Sequence, residues 1–175
     1  MSETSEPAPA DNGNFVSFGE KLVSSDGFRT LFREGMGLVE ETAAYLDGDG
    51  REESRKLPRT AALAYATESM RLTTRLMQIA SWLLIQRAAN EGEMKQEQAN
   101  LEKQKIKLTT GRSTISIETF MSLPERLRDL VERTERLQGR VLMLEAQITG
   151  NGGPPAKNPI ESQLALLRTA FAADA

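Results

Sequence analysis

The stretch LMQIASWLLIQRA, residues 76–88, is the most apolar part of the chain and constrains its fold more than any other feature. Eight of the ten residues from Leu76 to Ile85 are apolar, and the only tryptophan lies among them. A membrane-spanning helix needs about 18 to 20 apolar residues, and this stretch is shorter and has arginines close by. It is also too apolar for an ordinary surface helix. It must therefore pack against other parts of the chain or against another protein.

The surrounding sequence predicts a long helix from about residue 59 to 90, because no Gly or Pro interrupts it before Gly92. At 100° per residue its apolar side chains form two stripes about a third of a turn apart. The first stripe contains Leu63, Ala66, Met70, Thr73, Met77, Ala80 and Leu84, and the second contains Tyr65, Leu72, Leu76, Ile79 and Leu83. One neighbouring helix needs an apolar arc of only about 100°. Both stripes are therefore expected to face the core, with this helix contacting at least two neighbours.

Two apolar residues lie outside both stripes, on the side that is polar in the first half of the helix. They are Trp82 and Ile85, flanked by Gln78 and Gln86. The preferred interpretation is an exposed patch of these four residues that serves self-association or partner docking, since Trp is favoured at interface hot spots. The alternative is that the connector 93–120 folds back and covers them.

A shorter amphipathic helix is predicted before this one. It begins after the sequence SSDG at 24–27, which offers N-cap residues. It ends at DGDG (47–50), where glycine can take a left-handed conformation. A polar connector, 51–58, follows it. Its apolar residues recur every three or four positions: Phe28, Leu31, Phe32, Met36, Val39, Ala43 and Leu46.

A third long helix is predicted to begin at a capping box formed by Ser122 and Glu125. Its apolar positions alternate at three and four residues for three heptads: Leu127, Leu130, Thr134, Leu137, Val141, Leu144 and Ile148. This spacing suits one helix of an intramolecular bundle or a coiled-coil dimer seam, and we prefer the bundle because three heptads is short for an independent coiled coil. Between the second and third helices we expect a short helix within 93–108 and a loop or irregular strand at 109–120.

These elements predict an all-α fold, an antiparallel three-helix bundle with a shorter helix and irregular connector between disordered termini. The predicted divisions are a disordered tail 1–14, a helical domain 15–149, and a Gly/Pro linker with an amphipathic tail, 150–175. One face of that tail carries Ile160, Leu164, Leu167 and Phe171. The tail either contacts another protein or docks weakly on its own bundle, and the sequence leaves both open.

Composition excludes most catalytic chemistry. The chain has no Cys and no His, which removes thiolate nucleophiles, imidazole bases and the usual zinc ligands. The sequence DGDG lacks the acidic positions of a calcium loop, and no phosphate-binding glycine motif is present. We therefore expect a protein that is not an enzyme and that uses no cofactor or metal.

The charge pattern argues against nucleic acid as a partner. The net charge is −3, and the most basic window, 103–112, has no aromatic residue near it. A helical DNA-associated transcriptional regulator is therefore the alternative rather than the preferred function. The N-terminus carries acidic residues where a signal peptide would carry basic ones, so we expect a cytoplasmic protein that does not insert into membranes.

Three stretches of the sequence resemble a known family. They are FREGMGLVEETAAYLDGDGR (32–51), YATESMRLTTRLMQIASWLLIQRAANEGEM (65–94) and LPERLRDLVERTERLQGRV (123–141). Together they resemble the regulator of CtrA degradation (RcdA) family of alphaproteobacteria, over roughly residues 15–149.

This resemblance implies a non-enzymatic adaptor for the ClpXP protease. Such an adaptor has a three-helix-bundle fold, acts as a homodimer, and tethers CtrA-like cell-cycle regulators to a protease primed by CpdR-like proteins. It also implies work with PopA-like regulators and recruitment to the cell pole. The resemblance carries no catalytic residue to any position of this chain, and it leaves open which face forms the dimer.

Overall fold

The computed structural model describes residues 26–108 and 115–150, and this part of the chain consists of helices and their connections, without a strand. The helices are α1 (Asp26–Asp47), α2 (Asp49–Arg55), α3 (Arg59–Asn90), α4 (Gln96–Lys105), α5 (Ile117–Met121) and α6 (Glu125–Ile148). The all-α prediction is confirmed. Residues 1–25, 109–114 and 151–175 lie outside the described residues, and with them both predicted disordered termini.

The three long helices have nearly the bounds that the sequence predicts. Pro58 directly precedes α3 in an extended conformation, which suits a residue without an amide proton at a helix start. Gly92, just beyond α3, has a φ of 76°, a left-handed conformation that favours glycine. Along the helices of the described residues, none is long and apolar enough to cross a membrane.

The connections differ from the predictions in three places. Residues 49–55, expected to be the end of the DGDG stop and the first part of the polar connector 51–58, form the short helix α2. This helix has acidic residues in its first turn and Arg55 in its last. Residues 117–121 are helical rather than a loop or strand, because the Ser116 side chain caps α5 by accepting a hydrogen bond from the Thr119 amide. The capping box is wrong: α6 has no side-chain cap, and the Ser122 hydroxyl donates to the Thr119 carbonyl instead.

The helices α1, α3 and α6 pack against one another as a three-helix bundle. The ion pairs Glu34–Arg140 and Glu41–Arg133 show that α6 runs antiparallel to α1. The pairs Arg75–Glu135 and Trp82–Glu145 show that α6 runs in the same direction as α3.

This parallel pairing sets the length of the connector between α3 and α6. Since α6 has 24 residues, it is about 36 Å long at 1.5 Å per residue. The chain leaving the end of α3 must return over this distance before α6 can begin. Residues 91–124 make that return, and α4 packs along α3 at its start.

The heptad positions of α6 lie in the bundle core. The buried residues are Leu127, Leu130, Thr134, Leu137, Val141 and Leu144, and Ile148 packs against them while partly exposed. The intramolecular interpretation of this heptad is therefore confirmed, and its seam is not available to a second chain.

At Gly35, α1 lies close to both of the other long helices. A Cβ atom at this position would lie 2.5 Å from Cδ1 of Leu83 and 3.6 Å from Cδ2 of Leu137. Both leucines are fully buried, so neither has free space into which it can move. Gly37, two residues later on the same helix, would have nothing within 4 Å of an added Cβ.

We predict opposite effects for Gly35→Ala and Gly37→Ala. Overpacking should make Gly35→Ala lower the free energy of unfolding by about 1–2 kcal/mol. Gly37→Ala should raise it by up to about 1 kcal/mol, because alanine is the better helix former. Denaturant unfolding followed by circular dichroism measures both changes, and equal stabilisation by the two variants would contradict the close approach at Gly35.

Candidate functional site

The side chain of Trp82 is buried in the structure, with 1% of its surface exposed. Its indole Nε1 donates a hydrogen bond to Oε2 of Glu145 on α6 at 2.7 Å. Helix α4 lies over the ring, where Nζ of Lys103 is 5.1 Å from the ring centre, within the range of a cation–π contact. Trp82 thus joins α3, α4 and α6.

The polar groups around Trp82 satisfy one another. Nζ of Lys103 donates to Oε1 of Gln86 at 2.8 Å and to Oε2 of Glu145 at 3.0 Å. Nε2 of Gln86 donates to Oδ1 of Asn90 at 2.9 Å. A buried ammonium is tolerated only when it is paired and hydrogen-bonded, and Lys103 is both. We call Trp82, Gln86, Lys103 and Glu145 the Trp82 cluster.

The expectation that Trp82 and Gln86 belong to an exposed patch is therefore wrong. The alternative, that the connector folds back and covers them, is confirmed by the position of α4. Gln78 and Ile85 are half-buried beside the cluster, and their part in a partner surface stays a prediction. The sequence misleads here because Lys103 and Glu145 look like solvent-facing charges until the fold brings them to the indole.

A second correction concerns the first apolar stripe of the long helix, which was expected in the core. Leu63, Met70, Met77 and Leu84 are 70%, 72%, 66% and 53% exposed. The core face of α3 is formed by the second stripe together with the side that carries Trp82 and Gln86. The helix is therefore rotated by about a third of a turn from the predicted orientation.

The exposed side of α3 carries no charge over six turns. From position 60 to 84 its exposed residues are Thr60, Leu63, Ala66, Thr67, Met70, Thr73, Thr74, Met77, Ser81 and Leu84, which we call the α3 outer face. The outer side of α6, by contrast, is crowded with charges such as Asp129, Glu132 and Arg136. An exposed surface of this size without a charge is typical of an interaction site.

The hydroxyl groups on the α3 outer face do not make it polar. Thr67, Thr73 and Ser81 each donate a hydrogen bond to the carbonyl four residues earlier, at 3.0, 2.9 and 2.8 Å. Their donors are thereby used within the helix. Covering these three side chains with an apolar surface would leave no donor unpaired.

A groove of about 610 Å³ lies between the start of α1 and the end of α3. Phe28, Phe32 and Met36 line it together with arginines, and the guanidinium of Arg87 lies 5.0 Å from the centre of the Phe32 ring.

Among the titratable groups of the described residues, the pKa of the Tyr45 hydroxyl is shifted by its surroundings. Burial raises the pKa of Tyr45, and its hydrogen bond to Glu53, at 2.7 Å, acts in the same direction. Within the described ranges, no group of three Asp or Glu side chains is placed to hold a metal ion. The Tyr45 hydroxyl is thus a structural donor in the contact between α1 and α2.

Comparisons with known proteins match this chain to one family model and to a solved structure. Residues 19–171 match the family model described as "Protein of unknown function (DUF1465)". The crystal structure of RcdA from Caulobacter crescentus CB15 is 50% identical in sequence, with a TM-score of 0.61. The match covers 74% of this chain and 96% of that one. No curated protein matches the chain.

We predict that the ion pair of the Trp82 cluster contributes to the free energy of unfolding. Glu145→Gln should lower the free energy of unfolding by about 2–3 kcal/mol, because it leaves the buried Lys103 ammonium without its counter-charge. The double variant Lys103→Met with Glu145→Gln should lose less than the two single variants added together, since it removes both charges. Denaturant unfolding measures each value, and Trp82, the only tryptophan, reports on the cluster by fluorescence.

Glu132→Gln is the matched control for this comparison. Glu132 is exposed on the same helix and its contact with Arg136 is 3.9 Å long, so its loss should change stability by less than about 0.5 kcal/mol. If Glu145→Gln has no larger effect than Glu132→Gln, the cluster does not fasten α4 to the bundle.

Proposed function

We propose that this chain, which belongs to the RcdA (DUF1465) family, acts in the regulated proteolysis of cell-cycle regulators as a protease adaptor. The observation that carries the proposal is the 50% identity with RcdA of Caulobacter crescentus across 96% of that protein. Identity at this level over nearly the whole relative supports a shared role as well as a shared fold.

In this proposal the chain tethers CtrA-like substrates to the ClpXP protease through protein–protein contacts and performs no chemistry itself. It works as a homodimer in the cytoplasm, together with CpdR-like and PopA-like regulators, and is recruited with them to the cell pole. Two weak contacts, one to cargo and one to the protease assembly, raise the effective concentration of the cargo at the protease. The protein therefore needs at least two separate surfaces.

Several features of the described residues support such a role. The α3 outer face and the groove at Phe28 and Phe32 lie on different sides of α3, so both can be occupied at once. The buried charges serve to hold α4 to the bundle rather than to carry out a reaction. The half-buried Gln78 and Ile85 border the α3 outer face and are proposed as part of a partner surface.

The C-terminal segment is proposed as a further contact. Ile160, Leu164, Leu167 and Phe171 share one face if the segment becomes helical, and a Gly/Pro linker separates them from the bundle. A tethered amphipathic segment of this kind can bind a groove on another protein. It would supply the second of the two contacts that tethering requires.

The basic window of the sequence does not favour the DNA-associated alternative. Lys103 is buried in the Trp82 cluster, and Lys105 is paired with Glu102 at 2.8 Å. The burial of Lys103 removes one cation of this window from contact with phosphates, whereas Lys105 lies on the surface. A DNA-binding regulator would show affinity that falls steeply with salt, so a salt titration with duplex DNA separates the two functions.

The adaptor role predicts a specific result in reconstituted proteolysis. Adding the chain to ClpXP, CpdR-like and PopA-like proteins should accelerate degradation of a CtrA-like substrate. Leu164→Glu combined with Leu167→Glu should reduce that acceleration by about tenfold, if loss of the apolar contact costs about 1.4 kcal/mol. Thr169→Glu, which adds a charge on the opposite side of the same segment, should leave the acceleration unchanged.

Gel-based or fluorescent degradation assays measure these rates. If the unchanged chain gives no acceleration with any of the substrates and regulators, the adaptor role is wrong. If the unchanged chain accelerates degradation and the tail variant does so equally well, only the contact assigned to the tail is wrong.

A further inference from the structure

The groove between the start of α1 and the end of α3, which we call the Phe32 groove, has apolar and basic residues side by side. The half-buried Phe32 and Met36 line it, and so do the exposed Arg29, Arg33 and Arg87. A groove of this composition suits an amphipathic helix that lays its apolar side against the rings and its acidic residues beside the arginines.

The chain leaves the end of α6 close to this groove. Phe28 lines the Phe32 groove, and it also lines a second groove of about 420 Å³ together with Leu144 and Gln147 of α6. The end of α6 is therefore about one helix diameter, roughly 10 Å, from the Phe32 groove. The linker 150–159 has ten residues, and a flexible chain of this length reaches about 17 Å on average. The residues that follow the linker can thus reach the groove.

We infer that residues 160–171 dock in the Phe32 groove of their own chain as a helix. The four apolar residues that face the groove are Ile160, Leu164, Leu167 and Phe171. They span about 17 Å at 1.5 Å per residue, and the groove follows α1 from Phe28 to Glu40, which is about 18 Å. Because the linker arrives at the Phe28 end, the segment runs parallel to α1 and brings Phe171 towards Glu40.

The charges of the two surfaces are complementary. Three arginines and two glutamates line the groove, so its charged residues are positive in sum. Residues 160–175 carry two acidic residues, Glu161 and Asp174, and one basic residue, Arg168. Complementary charges around an apolar contact favour one partner over others. Charge therefore favours the same occupant as the apolar residues do.

The chain before α1 is the competing occupant, and it fits less well. Its apolar residues Phe15, Phe18 and Leu22 span about 11 Å as a helix, so they would fill the groove only in part. Residues 23–25 alone connect them to α1, and the chain would have to reverse its direction within these three residues. The segment 160–171 has a linker of ten residues in which to turn.

The short linker makes a weak contact sufficient for docking. It holds the segment at an effective concentration on the order of 1 mM beside the groove. A contact with a dissociation constant of about 0.1 mM would then be occupied for about 90% of the time. Docking requires only the chain itself. In the adaptor role proposed above, a partner that binds the apolar side of the segment must first displace it from the groove, and this consequence alone rests on that role.

Two exposed glycines allow a matched test. Gly37 lines the groove on α1, Gly139 lies on α6, and an added Cβ at either position would meet nothing within 4 Å. Gly37→Glu therefore places a longer side chain and a negative charge at the groove without changing the core. Gly139→Glu makes the same change away from the groove. Both variants should stay folded, because glutamate is a better helix former than glycine.

Amide hydrogen exchange of the purified full chain, followed by mass spectrometry, measures the docking. The amides of residues 160–171 should exchange about tenfold more slowly than in an isolated peptide of that sequence, because about 90% occupancy leaves them open for about a tenth of the time. Gly37→Glu should remove this protection, and Gly139→Glu should keep it. The amides of α3 report in the same experiment that each variant is folded.

Three results would overturn the inference. The first is an absence of protection in the unchanged chain, or protection that Gly37→Glu leaves intact. The second is protection that disappears on dilution, because the segment would then dock on a second copy. The third is faster exchange of residues 15–22 in Gly37→Glu with no change at 160–171, because the chain before α1 would then occupy the groove. No protease or cargo is present, so none of these results depends on the adaptor role.

Cysteine pairs test the position of the segment, since the chain has no cysteine of its own. Ala170→Cys, combined with Gly37→Cys, should form an intramolecular disulfide at least tenfold faster than Ala170→Cys combined with Gly139→Cys. Position 139 is nine residues before the end of α6, and position 37 is eleven after the start of α1. A free tether would therefore reach 139 at least as readily as 37. Equal rates, or a faster reaction at 139, would contradict docking in the Phe32 groove.

Discussion

The architecture depends on the Trp82 cluster, in which one carboxylate and one ammonium hold three helices together. Glu145 of α6 accepts from both the Trp82 indole and Lys103, and Lys103 reaches Gln86 as well. A buried lysine is unfavourable unless every one of its interactions is made. Helix α4 is therefore held in one position, against the face of α3 that carries Trp82, and it begins the return of the chain towards the start of α6.

The position of α4 explains why α3 is oriented as it is. With α1, α4 and α6 all packed on one half of α3, the tryptophan side is inside and the opposite half is left in solvent. Leu63, Met70, Met77 and Leu84 lie on that opposite half. Their exposure is thus a consequence of how the connector returns, and a direct antiparallel connection from α3 to α6 would not require α4 at this position.

The sequence was sufficient to predict the helices but not the rotation of the central one. The start of α3 after Pro58 and its end before Gly92 depend on local backbone preferences, so the sequence predicts them. The α6 heptad has a single apolar side, so the sequence also predicts which side of α6 is buried. The long helix α3 has apolar residues around most of its circumference, and periodicity alone cannot rank its sides. The decisive information was the pairing of Trp82 and Gln86 with Lys103 and Glu145, which are distant in sequence and look like surface residues.

The absence of charge was the signal that could have identified the α3 outer face from sequence. Core positions of α3 include the charged residues Glu68 and Arg75, whereas the exposed stripe from 60 to 84 contains no charged residue. Charged residues are mostly found on the solvent-exposed surface of a protein. A buried charge is tolerated when residues of the same chain pair with it. A long solvent-facing stripe of Leu, Met, Ala and hydroxyl residues that bond their own backbone is typical of an interaction surface. Methionine fits this role, because its flexible side chain adapts to a partner while leaving the separated chain soluble.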